Sequence, residues 1–194
     1  MRKRIAHLTS NILNPFLIGL VLIPIVSFKV TDNPSEALKW SLILTALSVL
    51  PVFLFTCYMV RHNRLDSVFA NVRRQRTVIY AVATVLASVS CFVLLVLEAP
   101  PLLLALSVAG FSANIIFMGI NLRWKVSLHT AVIAAAVTVL LFLFGPASTV
   151  FIALVPLVAW ARIELEQHSL AQTATGTLLA PAILVGIFSL FSLI

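Results

Sequence analysis

The sequence predicts an all-α protein, a polytopic transmembrane helical bundle of six to seven spans, forming one integral membrane domain over residues 1–194. Three observations carry this expectation. Of the 194 residues, 61% are hydrophobic and only 10% charged, whereas soluble domains hold about a quarter charged residues. The apolar residues fall in runs long enough to cross a bilayer, which takes about 20 helical residues, or about 17 at the short end. No polar stretch between those runs is long enough to fold as a second unit.

Seven runs qualify, near 12–30, 38–60, 77–97, 102–121, 129–145, 147–161 and 171–194. The first follows Met1-Arg2-Lys3-Arg4, a start like that of a signal peptide. No small-residue cleavage site comes after it, so it is expected to remain as a span. Asp32-Asn33-Pro34-Ser35 parts the first run from the second, and Glu98-Ala99-Pro100-Pro101 parts the third from the fourth. Gly145-Pro146 makes a tight turn between the fifth and sixth, because Pro lacks the N–H that a continuing helix needs. The sixth run is short and contains Pro156; without it the count is six. Ala134-Ala135-Ala136 in the fifth run is a small-residue packing surface, the kind helices use against each other in lipid.

Charge then sets orientation. The net charge of +7 is not a nucleic-acid footprint here, since Lys and Arg in a membrane protein first report topology. Arg2, Lys3, Arg4, Arg61, Arg64, Arg73, Arg74, Arg76, Arg123, Lys125 and Arg162 would share one side. Lys29 and Lys39 lie on the other, beside Asp32, Glu36 and Glu98. The positive-inside rule places the richer face in the cytoplasm. Cys57 and Cys91 both lie inside apolar runs and read as small buried hydrophobes, with no disulfide framework and no metal-ligand spacing.

Three polar clusters interrupt the apolar runs, each separated from the next by an even number of crossings, so all three should emerge on one face. The first runs from Arg61 to Arg76 and holds Arg73, Arg74 and Arg76 with Asp66 as its only acid. Such a run is a topology determinant or a headgroup contact. The second is Arg123-Trp124-Lys125-Val126-Ser127-Leu128-His129. Its Ser127 could cap the following helix or donate to a phosphate oxygen, and His129 could carry a proton to or from a leaving oxygen. The third joins Arg162, His168 and Gln172. With a helix starting near Ser169, His168 stands at an N-terminus that favours an anion, and Gln172 lies one turn on, able to reach back to the imidazole. Arg162 offers a planar fork that matches phosphate oxygens, or an interfacial side chain that snorkels.

The order and spacing of these residues resemble the type-2 phosphatidic acid phosphatase superfamily, helical membrane enzymes that remove phosphate from lipids. Arg162, His168 and Gln172 fall on the spacing of its third motif, with Gln where the family has Asp. Val126-Ser127-Leu128-His129 keeps the Ser and His of its Pro-Ser-Gly-His motif but not the Pro and Gly. In its first motif, Phe69 stands at the Lys position, and Arg76 is followed by Thr77 where the family has Pro. The likeness covers about residues 60–190.

The resemblance implies a two-step phosphoryl transfer without metal or other cofactor. His168 would attack phosphorus to form a phosphohistidine, and His129 would protonate the leaving alkoxide. Arg76, Arg162 and Ser127 would hold the phosphate oxygens, with Arg73 or Lys125 adding charge. The substrate would be an amphiphile in the membrane, such as a phosphatidate, a phosphatidylglycerophosphate or a polyprenyl pyrophosphate. Gln172 could fix the imidazole tautomer but not stabilise its cation as an Asp does, and Glu164 or Glu166 could supply that charge instead.

Two other classes stand beside the phosphatase: a non-catalytic relative that binds a phospholipid or prenyl phosphate, and a small transporter component. Transporters carry ionisable groups at mid-span depth, and here Ser112 and Asn114 are the main polar residues inside a run. With Asp32 and Asp66 as the only aspartates, paired-Asp metal chemistry is excluded, and no Lys lies in the last run for a retinal.

Overall fold

Asparagine and proline open the second and third helices. The structure is a computed structural model that describes residues 1–194. Asn14 ends α1 (Arg2–Ile12) and starts α2 (Pro15–Val30). Its side-chain oxygen accepts from the amides of Phe16 at 2.9 Å and Leu17 at 3.0 Å, and its Nδ2 donates to the Asn11 carbonyl at 2.6 Å. The two helices meet at a 43° bend. Asn33 caps α3 (Pro34–Leu44) by accepting from the Ser35 amide at 2.9 Å, with Pro34 at the first helical position, where a missing N–H costs nothing. A π turn over Thr45–Val49 joins α3 to α4 (Leu50–Arg61). The wide turn falls just before Pro51, whose ring would strike the carbonyl of Leu47 in a regular α-helix.

The remaining elements are α5 (Arg73–Val96), α6 (Pro101–Asn121), α7 (Leu128–Phe144), a 3₁₀ segment (Gly145–Ala153), α8 (Leu154–Glu164) and α9 (Leu170–Leu190). Four helices end in the same way without glycine, the last of them α9 at Ser192, φ 53. Asn63, Glu98 and Glu166 take left-handed backbone at φ 54, 52 and 56. In each case that residue and the one after it return their amides to the last turn, as Glu166 does to Ile163 at 2.8 Å and Gln167 to Arg162 at 3.1 Å.

Five helical stretches are long and apolar enough to cross a membrane: Pro34–Arg61, Arg73–Val96, Pro101–Asn121, Leu128–Glu164 and Leu170–Leu190. They number six when α1 and α2 are taken as one bent span. The chain is an all-helical integral membrane protein. Leu128–Glu164, at 37 residues, would be about 55 Å long if straight, nearly twice the apolar thickness of a bilayer. It is not straight. Gly145 sits at φ 61, Ser148 Oγ reaches back to the Leu140 carbonyl at 2.9 Å, and α8 packs against α7. A straight helix could not bring those two segments together, so the stretch is a hairpin turned at Gly145-Pro146. Pro156 falls in the first turn of α8, where its missing donor does no harm.

Chain contacts divide the protein into two compact units. One comprises Met1–Leu22 and Lys125–Val185, and α7 is its centre. That helix buries His129, Thr130, Ala131, Ile133, Ala134, Ala136, Val137 and Val139. α7 is therefore the helix best shielded from lipid, whereas Val150, Phe151 and Ile152, beyond the turn, are exposed. The second unit comprises Ile23–Trp124 and Gly186–Ile194. In it α5 and α6 pack along their lengths, with Leu94, Leu103, Ala105 and Ala109 buried. Outward Leu, Val and Phe side chains such as Val85, Phe92 and Leu95 are exposed, as lipid-facing residues are.

Candidate functional site

The joint between α8 and α9 carries Arg162, His168 and Gln172. Left-handed Glu166 turns the chain at the end of α8, and the His168 amide comes back to the Arg162 carbonyl at 3.3 Å. The five-residue spacing is thus the length of one helix cap. Ser169 then opens α9 in a reciprocal cap: its Oγ accepts from the Gln172 amide at 3.3 Å, and Gln172 Oε1 accepts from the Ser169 amide at 3.4 Å.

The same Gln172 Oε1 lies 3.0 Å from His168 Nδ1. Because the Ser169 N–H can only donate, the Gln172 atom facing it is the oxygen, and the network assigns the proton to Nδ1. In the neutral ring Nε2 then carries the lone pair. His168 is 6% exposed. Arg162 is 1% exposed, and its Nη1 donates to Ser10 Oγ at 2.7 Å.

The second cluster closes onto the third. Ser127 caps α7, accepting from the Thr130 amide at 3.4 Å, while its own amide donates to the Gln172 carbonyl at 3.2 Å. Thr130 Oγ1 donates across to the Thr173 carbonyl at 3.0 Å, and Lys125 Nζ to the Gln167 carbonyl at 2.7 Å. Gly176 makes this approach possible, since a Cβ there would stand 2.5 Å from the Ser127 carbonyl oxygen. Ser127 and His129, like Arg162 and His168, are buried. One unit therefore gathers Lys125, Ser127, His129, Arg162, His168 and Gln172, all from the two clusters flanking the α7–α8 hairpin.

The two carboxylates between Arg162 and His168 are paired with α1. Glu164 pairs with Arg2 at 3.1 Å and Glu166 with Lys3 at 3.5 Å, the latter with its side chain 82% exposed. Both are turned toward α1, because the cap that aims the His168 amide at Arg162 sends the intervening side chains outward.

The first cluster lies in the other unit. Arg73 Nη1 donates to the Asn121 carbonyl at 2.7 Å and also to that of Leu122, the last carbonyls of α6. Asn121 Nδ2 returns a bond to the Arg73 carbonyl at 3.1 Å. Arg73 is thus a cationic cap at the negative end of a helix dipole. Arg76 is buried, and its Nε donates to the carbonyl of left-handed Ala70 at 2.7 Å.

Ser10, Thr130 and Gly176 are the residues of the site that sequence reasoning passed over. Ser169-x-x-Gln172 was readable as a reciprocal cap, a pattern that precedes apolar runs; nothing marked Ser10. No three His, Cys, Asp or Glu side chains converge as a metal site. Comparison of the chain with known protein families, curated proteins and solved structures finds no match.

Proposed function

We propose that this chain is an integral membrane lipid phosphatase, acting on the phosphate of a lipid or prenol through His168. The supporting observation is the Gln172–His168 contact, which holds a buried imidazole with its proton on Nδ1 and its lone pair on Nε2, one cap away from the buried Arg162 guanidinium. In the first step Nε2 attacks phosphorus, the bond from phosphorus to the lipid oxygen breaks, and that alkoxide takes a proton from His129. In the second, water attacks phosphorus as His129 takes a proton back. The phosphorus–nitrogen bond breaks, and orthophosphate leaves with His168 in its starting tautomer. Arg162 and Ser127 hold the phosphate oxygens, with Lys125 adding positive charge. All of these residues belong to one unit. The apolar helices that carry them favour an amphiphilic substrate, and the excess of Lys and Arg on the clustered face favours a cytoplasmic site.

A non-catalytic phosphate-binding relative is favoured by one observation: the group behind His168 is a neutral amide, and the nearby carboxylates are paired with Arg2 and Lys3. The deciding experiment is phosphate release from phosphatidate, phosphatidylglycerophosphate and polyprenyl pyrophosphate by purified protein in detergent with EDTA. Release that His168→Ala abolishes and Cys57→Ala leaves intact is the expected result. Lipid binding without release would establish the non-catalytic reading, and neither binding nor release would refute both.

A further inference from the structure

We propose that α1 is part of the anion site and that Ser10 is a positioning residue for Arg162, an inference that rests on the role given to Arg162 above. The likeness that pointed to the site begins near residue 60, so it assigns the N-terminal helix nothing. Three features of the structure give that helix a task.

First, α1 is aimed. Asn14 bonds to both helices at the 43° bend, fixing the direction in which α1 leaves α2. α1 lies against α8, and its only buried residues are Ala6 and Ser10, four apart and so on one face. Ala6 is small enough to let the backbones approach, and Ser10 is the one polar side chain of α1 buried there.

Second, Ser10 meets the part of Arg162 that matters. Its Oγ accepts from Nη1 at 2.7 Å with both residues buried. A free guanidinium on a long side chain samples many rotamers, and a ligand must order it. Tying one nitrogen to a fixed hydroxyl holds the plane of the fork before a phosphate arrives, which lowers the ordering cost of binding. Ser10 keeps its own O–H, which is free to donate to an anion on the same fork.

Third, the edge of the contact is closed by charge. Arg2 pairs with Glu164 and Lys3 with Glu166 where α1 meets the end of α8. They also offset two carboxylates, two and four residues beyond Arg162, that would otherwise repel an incoming phosphate.

The test is a double-mutant cycle on the full chain in phosphatidylcholine nanodiscs, titrated with dioctanoyl phosphatidate. Ser10→Ala should weaken binding about tenfold, the effect of one hydrogen bond to a charged group. Ser10→Thr, which keeps the hydroxyl, should bind like the wild type. Arg162→Ala should weaken binding far more, and adding Ser10→Ala to it should change nothing further. Should Arg162→Ala fail to fold, Arg162→Lys, which keeps the charge but not the fork, takes its place in the cycle. Wild-type affinity in Ser10→Ala, or the same tenfold loss with Arg162 absent, would overturn the role of Ser10 and leave the phosphate site standing. Absence of binding by the wild type would overturn both.

Discussion

Gly176→Ala probes the close approach of α9 to the start of α7. An added Cβ would stand 2.5 Å from the Ser127 carbonyl oxygen and 2.8 Å from Thr130 Oγ1. That is about 1 Å inside a normal van der Waals separation. A backbone carbonyl at a helix cap cannot rotate away, so α7 and α9 must part. Overpacking of this kind costs about 1–3 kcal/mol. Two cross-helix hydrogen bonds, Ser127 N to Gln172 O and Thr130 Oγ1 to Thr173 O, would lengthen and give up part of the roughly 1 kcal/mol each contributes. Against this, Ala gains about 1 kcal/mol over Gly inside a helix. The balance is a loss of about 2 kcal/mol. Gly186 on the same helix has nothing within 4 Å, so Gly186→Ala keeps the propensity gain alone. The two variants should differ by about 3 kcal/mol, which is about 6–12 °C in melting temperature for a chain of this length. Thermal unfolding in detergent, with and without phosphatidate, measures it, and Gly176→Ala should also lose the stabilisation that the lipid confers. Equal melting temperatures for the two variants, with lipid binding retained, would refute the reasoning.

Gln172→Glu preserves the reciprocal cap with Ser169 and adds a carboxylate behind His168. It should raise phosphate release at least tenfold, toward the roughly four orders of magnitude that separate a carboxylate from an amide behind a catalytic His, as read by initial rates. Arg73→Ala should lower the melting temperature by removing the cap of α6, a loss of about 1–2 kcal/mol. An unchanged melt with weakened phosphatidate binding would instead make Arg73 a phosphate clamp. Glu166→Gly should stabilise the protein by about 1 kcal/mol, because glycine adopts the left-handed backbone without strain and the exposed pair with Lys3 contributes little; chemical denaturation with and without added salt checks it.

The sequence by itself determined that this is a helical membrane protein, where most of its helices run, and that Ser127 and His168 stand at helix starts. It also grouped the residues on either side of the fifth and sixth runs, because a hairpin turned at Gly145-Pro146 must return its ends to one place. These properties are local: an apolar run, a turn residue or a cap is legible over a few positions. The tertiary structure alone decided which helix faces meet. Ser10 lies 152 residues from Arg162, and a serine near an apolar run looks the same whether it faces lipid or a partner helix. Glu164 and Glu166 were read as neighbours of His168 by their position in the chain, yet the cap between them turned both toward Arg2 and Lys3. The charge of Arg73 marks it as a topology determinant or headgroup contact, and the structure shows its guanidinium on the carbonyls of α6. In soluble proteins the buried face of a helix shows as an apolar stripe. In lipid the outer face is as apolar as the inner, so that stripe vanishes and only packing assigns the polar residues their partners.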